Sequence, residues 1–378
     1  MEASQTKPWR RKYLTSPWLE SIIMALSIVL SYLCLTVLSL APMEQGPGEM
    51  ATSTIVLILF AFFLLSTAIA VVGTIAGIGG AVIFTPIMLA FTGVNSLVVR
   101  GTGLIVAMFS GPLSTGIFTK KGLANYRMSL VMTLSQGIGA LAGATIAVLT
   151  VARVGLTGEG MLRLALGLIL VALAVFFVSG GKKLERPEVT HVDRFTRWLG
   201  LGGRYYDESE GLVRAYQVRR APLGIGLLFL IGVMGGFFGL GGGWAITPVL
   251  NIGMGMPLRL AAANSNVILS LGSCVSVWPY VFAGGVIPLF VLPWMAGQAV
   301  GGFIGAYVLA KIKVAVVRIF LIGIMVFTGF TLVTRGLEMI GLMGATPAIV
   351  QVFAFALTMA GVAFAIFLKH GKGGAQNV

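Results

Sequence analysis

The sequence predicts an all-α polytopic membrane protein built from two inverted repeats. Each repeat is expected to hold a Gly-broken helical hairpin plus three spans, with an extra span at each end of the chain. Three observations carry this. Hydrophobic residues make up 57% of the chain and charged residues 10%, where soluble domains carry about 25% charged residues. Long apolar runs recur to the C-terminus without the apolar/polar alternation of a membrane β-barrel. A decapeptide also occurs twice, 162 residues apart: Gly77-Ile-Gly-Gly-Ala-Val-Ile-Phe-Thr85-Pro86 and Gly239-Leu-Gly-Gly-Gly-Trp-Ala-Ile-Thr247-Pro248. The same offset brings Gly73 onto Gly235, Ser114 onto Ser276, Gln136 onto Gln298, Gly139 onto Gly301 and Gly143 onto Gly305. A fixed register across unrelated residue types marks an internal duplication.

The expected organisation is a cytoplasmic N-terminus and extra first span (1–50), repeat 1 (51–180), a polar cytoplasmic linker (181–221), repeat 2 (222–336), and an extra last span with a basic C-terminus (337–378). Lys7, Arg10, Arg11 and Lys12 precede an apolar run too long for a signal peptide, read as a retained span at 18–40. The run at 54–92 exceeds one straight span and is broken at 77–80. Its glycines disfavour continuous helix, and Pro86 fits the first turns of a new one. Spans are expected at 102–119, 130–151 and 162–179. The linker holds nine Lys/Arg and six Asp/Glu, with room for short amphipathic helices. Repeat 2 follows the same plan: arms over 223–252 broken at 239–243, then spans at 260–283, 288–309 and 314–333. A last span covers 348–368.

The net charge of +14 does not indicate nucleic acid, because Lys and Arg stand at segment ends, where they orient spans. If each broken stretch is a hairpin, Lys120, Lys121, Arg127, the linker, Lys311, Lys313, Arg318, Lys369 and Lys372 all become cytoplasmic. That assignment makes the repeats inverted, sets both termini in the cytoplasm, and suits a secondary transporter of the inner membrane with its site near the bilayer midplane.

At a break inside a bilayer, freed backbone N–H groups need partners from protein, water or a ligand. The N-terminus of a second arm carries partial positive charge, which suits an anion. Two facing tips would bind a small anion through Gly77, Gly79, Gly80, Thr85, Gly239, Gly241, Gly242 and Thr247. Close helix packing is the other role these glycines fit. Thr102 aligns with Asn264, and with Ser265 and Asn266 these residues offer neutral donors or interhelical hydrogen bonds. Gln136, Gln298 and Ser114 are lone polar residues within spans, suited to structural hydrogen bonds or to ligand contact. Arg100 and Arg259 precede the polar clusters as vestibule charges or interfacial anchors. Trp244, Trp278 and Trp294 fit a cavity wall or an interface.

No Asp or Glu occurs between Glu49 and Glu159, between Glu210 and Glu338, or after Glu338. The spans so lack carboxylate relays, which argues against a cation pump and suits an anion. Cys34 and Cys274 fall in apolar runs, and His191 and His370 form no cluster. No metal site, cofactor, phosphate-binding loop or enzymatic constellation is expected. The expected partners are a small anion and the lipid bilayer.

The duplicated Gly-x-Gly-Gly before Thr-Pro and the paired Gln-x-x-Gly-x-x-x-Gly segments at Gln136 and Gln298 resemble the TauE/SafE family of sulfite and organosulfonate exporters, over residues 71–333. The resemblance implies export of a small sulfur oxyanion such as sulfite or a sulfoacetate-like sulfonate, with the segments 77–85 and 239–247 building the site. An anion channel, or a transporter of another small anion, is the alternative. Gly243 where repeat 1 has Ala81, and Asn-Ser-Asn where it has Gly-Thr-Gly, imply a pseudo-symmetric site.

Overall fold

The structure is a computed structural model. It describes residues 52–179 apart from 77, 93 and 121, then 192–207, 212–311 and 329–344, with isolated positions at 189, 326, 350, 353 and 357. The expected spans at 18–40 and 348–368, most of the one at 314–333, both termini and Gly77 lie outside the described residues. Two compact units divide after Ile58. Of the first, only residues 52–58 are described, all helical. Everything below concerns the second.

The described chain is mostly helical, and six helices are long and apolar enough to cross a membrane: Ser53–Ile75, Ser96–Lys120, Tyr126–Thr150, Ala221–Phe238, Leu258–Phe282 and Pro288–Val308. Helix α1 (Thr52–Ala76) is followed by the half-length α2 (Ala81–Phe91), then α3 (Ser96–Ser110), α4 (Pro112–Lys120) and α5 (Tyr126–Ser179). After the linker come α7 (Ala221–Phe238), α8 (Gly243–Pro248) with a π-helical turn Val249–Gly253, α9 (Leu258–Ser276), α10 (Trp278–Phe282) and α11 (Pro288–Lys311). The duplication is legible in these boundaries. Ala76 and Phe238 end first arms, Ala81 and Gly243 begin second arms, Ser96 and Leu258 begin the next spans, and Tyr126 and Pro288 the ones after. Every pair is 162 residues apart.

The two equivalent spans Ser96–Lys120 and Leu258–Phe282 are the central ones. Their most apolar windows are 81% and 83% buried, against 17% for Ser53–Ile75. Around this centre each repeat grips the other's first arm. Gly139 and Gly143 of α5 lie against the carbonyls of Phe229 and Val233 of α7; Gly301 and Gly305 of α11 lie against those of Thr67 and Val71 of α1. Both sets keep the same offset. A methyl group at any of the four would collide with backbone, so these glycines serve close helix approach.

Two expectations need correction. Separate spans at 130–151 and 162–179 were expected, and a single helix runs through both. It lacks proline throughout, and Glu159 pairs with Arg163 one turn on at 2.7 Å, a helix-supporting spacing. Straight, 54 residues would extend about 81 Å. Yet Val189, ten residues beyond its end, packs against Gly255, on the chain that carries Met256 to Asn264, and Asn264 in turn bonds Asn125 at the helix start. Ten residues reach at most about 36 Å, so α5 is bent and the expected spans are limbs of one helix. The second limb packs through Gly160 and Gly167 on a helical run at 329–340.

The second correction is to the all-α fold class, because the linker holds a pair of strands beside its short helix. A short helix α6 (Arg194–Leu199) is followed by an antiparallel pair, β1 (Gly203–Asp207) and β2 (Leu212–Tyr216). Asp193 caps α6, accepting from Thr196 N and Thr196 Oγ1, and also accepts from Arg220 N at 2.6 Å. Burial pushes the Asp193 carboxyl up, but these hydrogen bonds outweigh it and hold it below its ordinary value.

Candidate functional site: two hairpin tips in contact

The duplicated decapeptides fold into turns with the same hydrogen bonds, which differ in backbone at Gly80 (φ −69°) and its equivalent Gly242 (φ +87°). In repeat 1 the Gly73 carbonyl accepts from Ile78 N and Gly79 N, at 3.0 and 3.2 Å; in repeat 2 the Gly235 carbonyl accepts from Leu240 N and Gly241 N, at 2.8 and 3.2 Å. The Gly80 carbonyl then starts the second arm by accepting from Ile83 N and Phe84 N, as the Gly242 carbonyl does from Ala245 N and Ile246 N. Four hydrogen bonds thus repeat at a 162-residue offset. Gly79 and Gly241 close the turns at φ +74° and +70°, a backbone region that favours glycine. Past them, the first N–H groups of the second arm have no helical carbonyl within reach.

The two tips touch. The Ile78 carbonyl lies on the Cα of Gly243, so that a methyl group there would overlap it. Thr85 Oγ1 of α2 crosses between repeats and donates to the Gly239 carbonyl at 2.8 Å. Leu269 of α9, fully buried, lies between the tips: its Cδ2 blocks a side chain at Gly79 and its Cδ1 one at Gly241. Ser110 Oγ and Ser273 Oγ stand beside the same two glycines, 3.7 and 3.1 Å from where their side chains would begin. Ser110 Oγ donates to Ala107 O, whereas Ser273 Oγ is buried with no partner among the described residues. Leu269, Ser110 and Ser273 escaped the sequence reading. Their only sequence signal was position, on the two spans that follow the tips.

The glutamines brace the tips reciprocally. Gln136 of α5 donates from Nε2 to the Gly241 carbonyl at 3.0 Å. Gln298 of α11 donates to Ser66 O at 3.2 Å while its carboxamide lies flat on Gly80. Each Oε1 is buried without a hydrogen-bond donor among the described residues.

The remaining candidates divide. Thr102 is buried on α3 with its hydroxyl unpartnered among the described residues. Asn266 donates to Thr74 O at 3.2 Å, capping the last turn of α1, and its Oδ1 has no donor among the described residues. Asn264 turns elsewhere: Oδ1 accepts from Asn125 N and Ser129 Oγ, and Nδ2 donates to Leu123 O and Leu260 O. With both polar atoms engaged, it fastens the α4–α5 loop to α9. Asn125 in turn donates to Leu201 O and Tyr216 Oη of the linker, tying linker and loop to one end of the bundle. Ser114 donates to the carbonyls of Ser110 and Gly111 at the junction of α3 and α4. Thr247 is buried on α8 and Ser265 on α9.

Arg100 is fully buried on α3. Its Nη1 donates to Phe237 O at 3.2 Å, Nε to Ser96 O at 3.1 Å and Nη2 to Ser96 Oγ at 3.3 Å, and it sits 5.7 Å from the Tyr280 ring centroid. Tyr280 Oη donates to Gly236 O at 2.9 Å. Cation and phenol together satisfy the last carbonyls of α7, a helix end that attracts positive charge. At the equivalent carbonyl of repeat 1, Thr74, the neutral Asn266 does the same. The site is therefore pseudo-symmetric in backbone and asymmetric in charge.

The chain matches the model of the sulfite exporter TauE/SafE family over residues 62–332. It is 24% identical to the "probable membrane transporter protein YunE" of Bacillus subtilis over 70% of this chain and 94% of that one. Identity is 28% with "probable membrane transporter protein ORF9" of a Sinorhizobium species, over 67% and 84% of the two chains. It is 30% with "Sulfite exporter TauE/SafE family protein 1" of Arabidopsis thaliana, over only 29% and 25%. No solved structure matches. With most of its length matched, and with its helices long and apolar enough to span a bilayer, the chain belongs to the TauE/SafE family of membrane transporters.

Proposed function

We propose that the protein exports a small sulfur-containing anion, sulfite or a short organosulfonate, across the cytoplasmic membrane. The observation that carries this reading is the meeting of two glycine-broken tips that share the same four turn hydrogen bonds. Each offers first-turn N–H donors, and the one carboxylate on the surrounding helices, Glu159 of α5, is paired with Arg163. Neutral donors suit an anion that must also be released. The donor set is the first-turn backbone N–H groups from Gly80 and Gly242 onward, with the hydroxyls of Thr102 and Ser273; the N–H groups of Gly79 and Gly241 are held by the Gly73 and Gly235 carbonyls and shape the turns. The Arg100 guanidinium neutralises the negative end of α7, which would otherwise repel an anion at the second tip.

The repeats are inverted, with Lys120, Lys121, Arg127, the linker and both termini on the cytoplasmic side. The hydrogen bonds from Asn125 to the linker support this, since they hold two basic segments at one end of the bundle. Alternating access then moves one repeat against the other about the tips. A negative interior assists anion exit by about 2.3 kcal/mol per charge per 100 mV.

The test is flux from liposomes containing the purified protein under an imposed potential. Sulfite or sulfonate efflux that rises with interior-negative potential supports the reading. Flux no greater than in protein-free liposomes, for every sulfur anion tried, overturns it.

A further inference from the structure

We propose that Leu269 is the seal between the hairpin tips and sets the size of anion that can pass, and that its withdrawal uncovers Ser273 Oγ as a ligand. The inference rests on the export reading above. It begins from an asymmetry. At the equivalent position of repeat 1 stands Ala107, whose methyl also faces Gly241. A two-fold arrangement of small residues would leave a slot between Gly79 and Gly241. Leu269 fills that slot, with one methyl toward each glycine and Cδ2 also against Gly243. It is completely buried, so an oxyanion can occupy the space between Gly79 and Gly241 only if the side chain turns aside.

The chemistry around the slot is not that of an apolar core. Ser273 Oγ is fully buried and unpartnered among the described residues, beside the Gly241 position that Leu269 also abuts. Ser110 Oγ flanks Gly79 across the slot. A buried hydroxyl without a partner carries a desolvation cost that an oxyanion, accepting its hydrogen bond, would offset. An isobutyl group cannot. Leu269 is therefore a displaceable plug rather than a fixed core residue, and the class of ligand that fits beneath it is a small oxyanion.

The experiment has two arms. In a Cys34→Ser/Cys274→Ser background, Ser273→Cys is labelled in liposomes with a membrane-impermeant thiol reagent, with residue 269 as Leu, Val or Ala. In the second arm, efflux of sulfite and of the bulkier benzenesulfonate is compared for the wild type, Leu269→Val, Leu269→Ala and the remote core control Leu166→Ala. The proposal expects labelling at least tenfold faster with Ala at 269, Val intermediate, and a benzenesulfonate-to-sulfite ratio at least tenfold higher in Leu269→Ala but unchanged in Leu166→Ala. Equal labelling in the Leu, Val and Ala forms overturns the seal. A ratio that stays at the wild-type value overturns the size limit even if labelling rises. If the wild type moves no anion, the export reading falls, and the labelling arm, which needs no substrate, still decides the seal. Should Leu269→Ala fail to fold, the Leu269→Val pair decides both arms.

Discussion

Gln136 donates from its Nε2 to the carbonyl of Gly241 at 3.0 Å, so a side chain of repeat 1 holds the turn of repeat 2. Gln298 lies on Gly80 in return. Replacing Gln136 by Leu leaves the Gly241 carbonyl buried and unpaired, at a cost of about 1–3 kcal/mol. A lowered melting temperature in detergent, with greater loss of flux than of folded protein, is the expected outcome. Gln136→Glu adds a negative charge beside the tip and is expected to abolish anion flux even where the fold survives.

Gly241 has φ +70° and faces Leu269 Cδ1. Gly241→Ala therefore meets backbone strain and a steric clash together. Gly122, at φ +69°, has open space around it and isolates the strain alone. Gly122→Ala is expected to cost on the order of 1 kcal/mol with flux retained, whereas Gly241→Ala is expected to abolish flux. Melting curves and flux on the two variants together check this.

Arg100 and Tyr280 satisfy the last carbonyls of α7. Tyr280→Phe removes one buried hydrogen bond and is expected to cost about 1 kcal/mol. Arg100→Met also removes the positive charge, and the expected signature is weaker anion binding beyond the stability loss. Titration of sulfite against both variants separates the two effects.

Asp193 is held below its ordinary value of 3.8 by hydrogen bonds from Thr196 and Arg220. A carboxyl depressed on folding contributes stability that is fully present above its unfolded value and is lost as pH falls through its folded value. The linker should therefore stay docked at neutral pH and loosen below about pH 4. Protection factors over residues 192–220, referred to the intrinsic exchange rate at each pH, are expected to fall in that acid range in the wild type. In Asp193→Asn they are already lower at pH 7 and change little on acidification.

The breaks were legible because glycine clusters and a following proline act locally, and their duplication fixed the 162-residue register that the helix boundaries keep. Gly139, Gly143, Gly301 and Gly305 were legible as matches of the duplication, but their close-packing role shows only in their contacts with Phe229, Val233, Thr67 and Val71. Less could be read where tertiary contacts decide. The bend within α5 leaves no proline or loop signal. The β1–β2 pair arises from a short stretch around Tyr205 and Tyr216, whose rings meet at 6.1 Å, within a segment read only by its charge. Asn264 had the chemistry of a ligand, but its direction is set by Asn125, 139 residues away. Leu269 is an ordinary apolar residue by type, and only the meeting of two distant turns gives it a role.

The most direct test of the central claim is ligand-induced thermal stabilisation of the purified protein by sulfite, sulfate, thiosulfate, sulfoacetate, taurine and acetate, repeated on Ser273→Ala and Thr102→Ala. A ligand that binds only the folded state raises its stability by mass action. The account predicts a selective upward shift with sulfite or a sulfonate, none with acetate, and a smaller shift in both variants. No shift with any sulfur anion, an equal shift with acetate, or a shift untouched by either substitution would contradict an anion site at the hairpin tips.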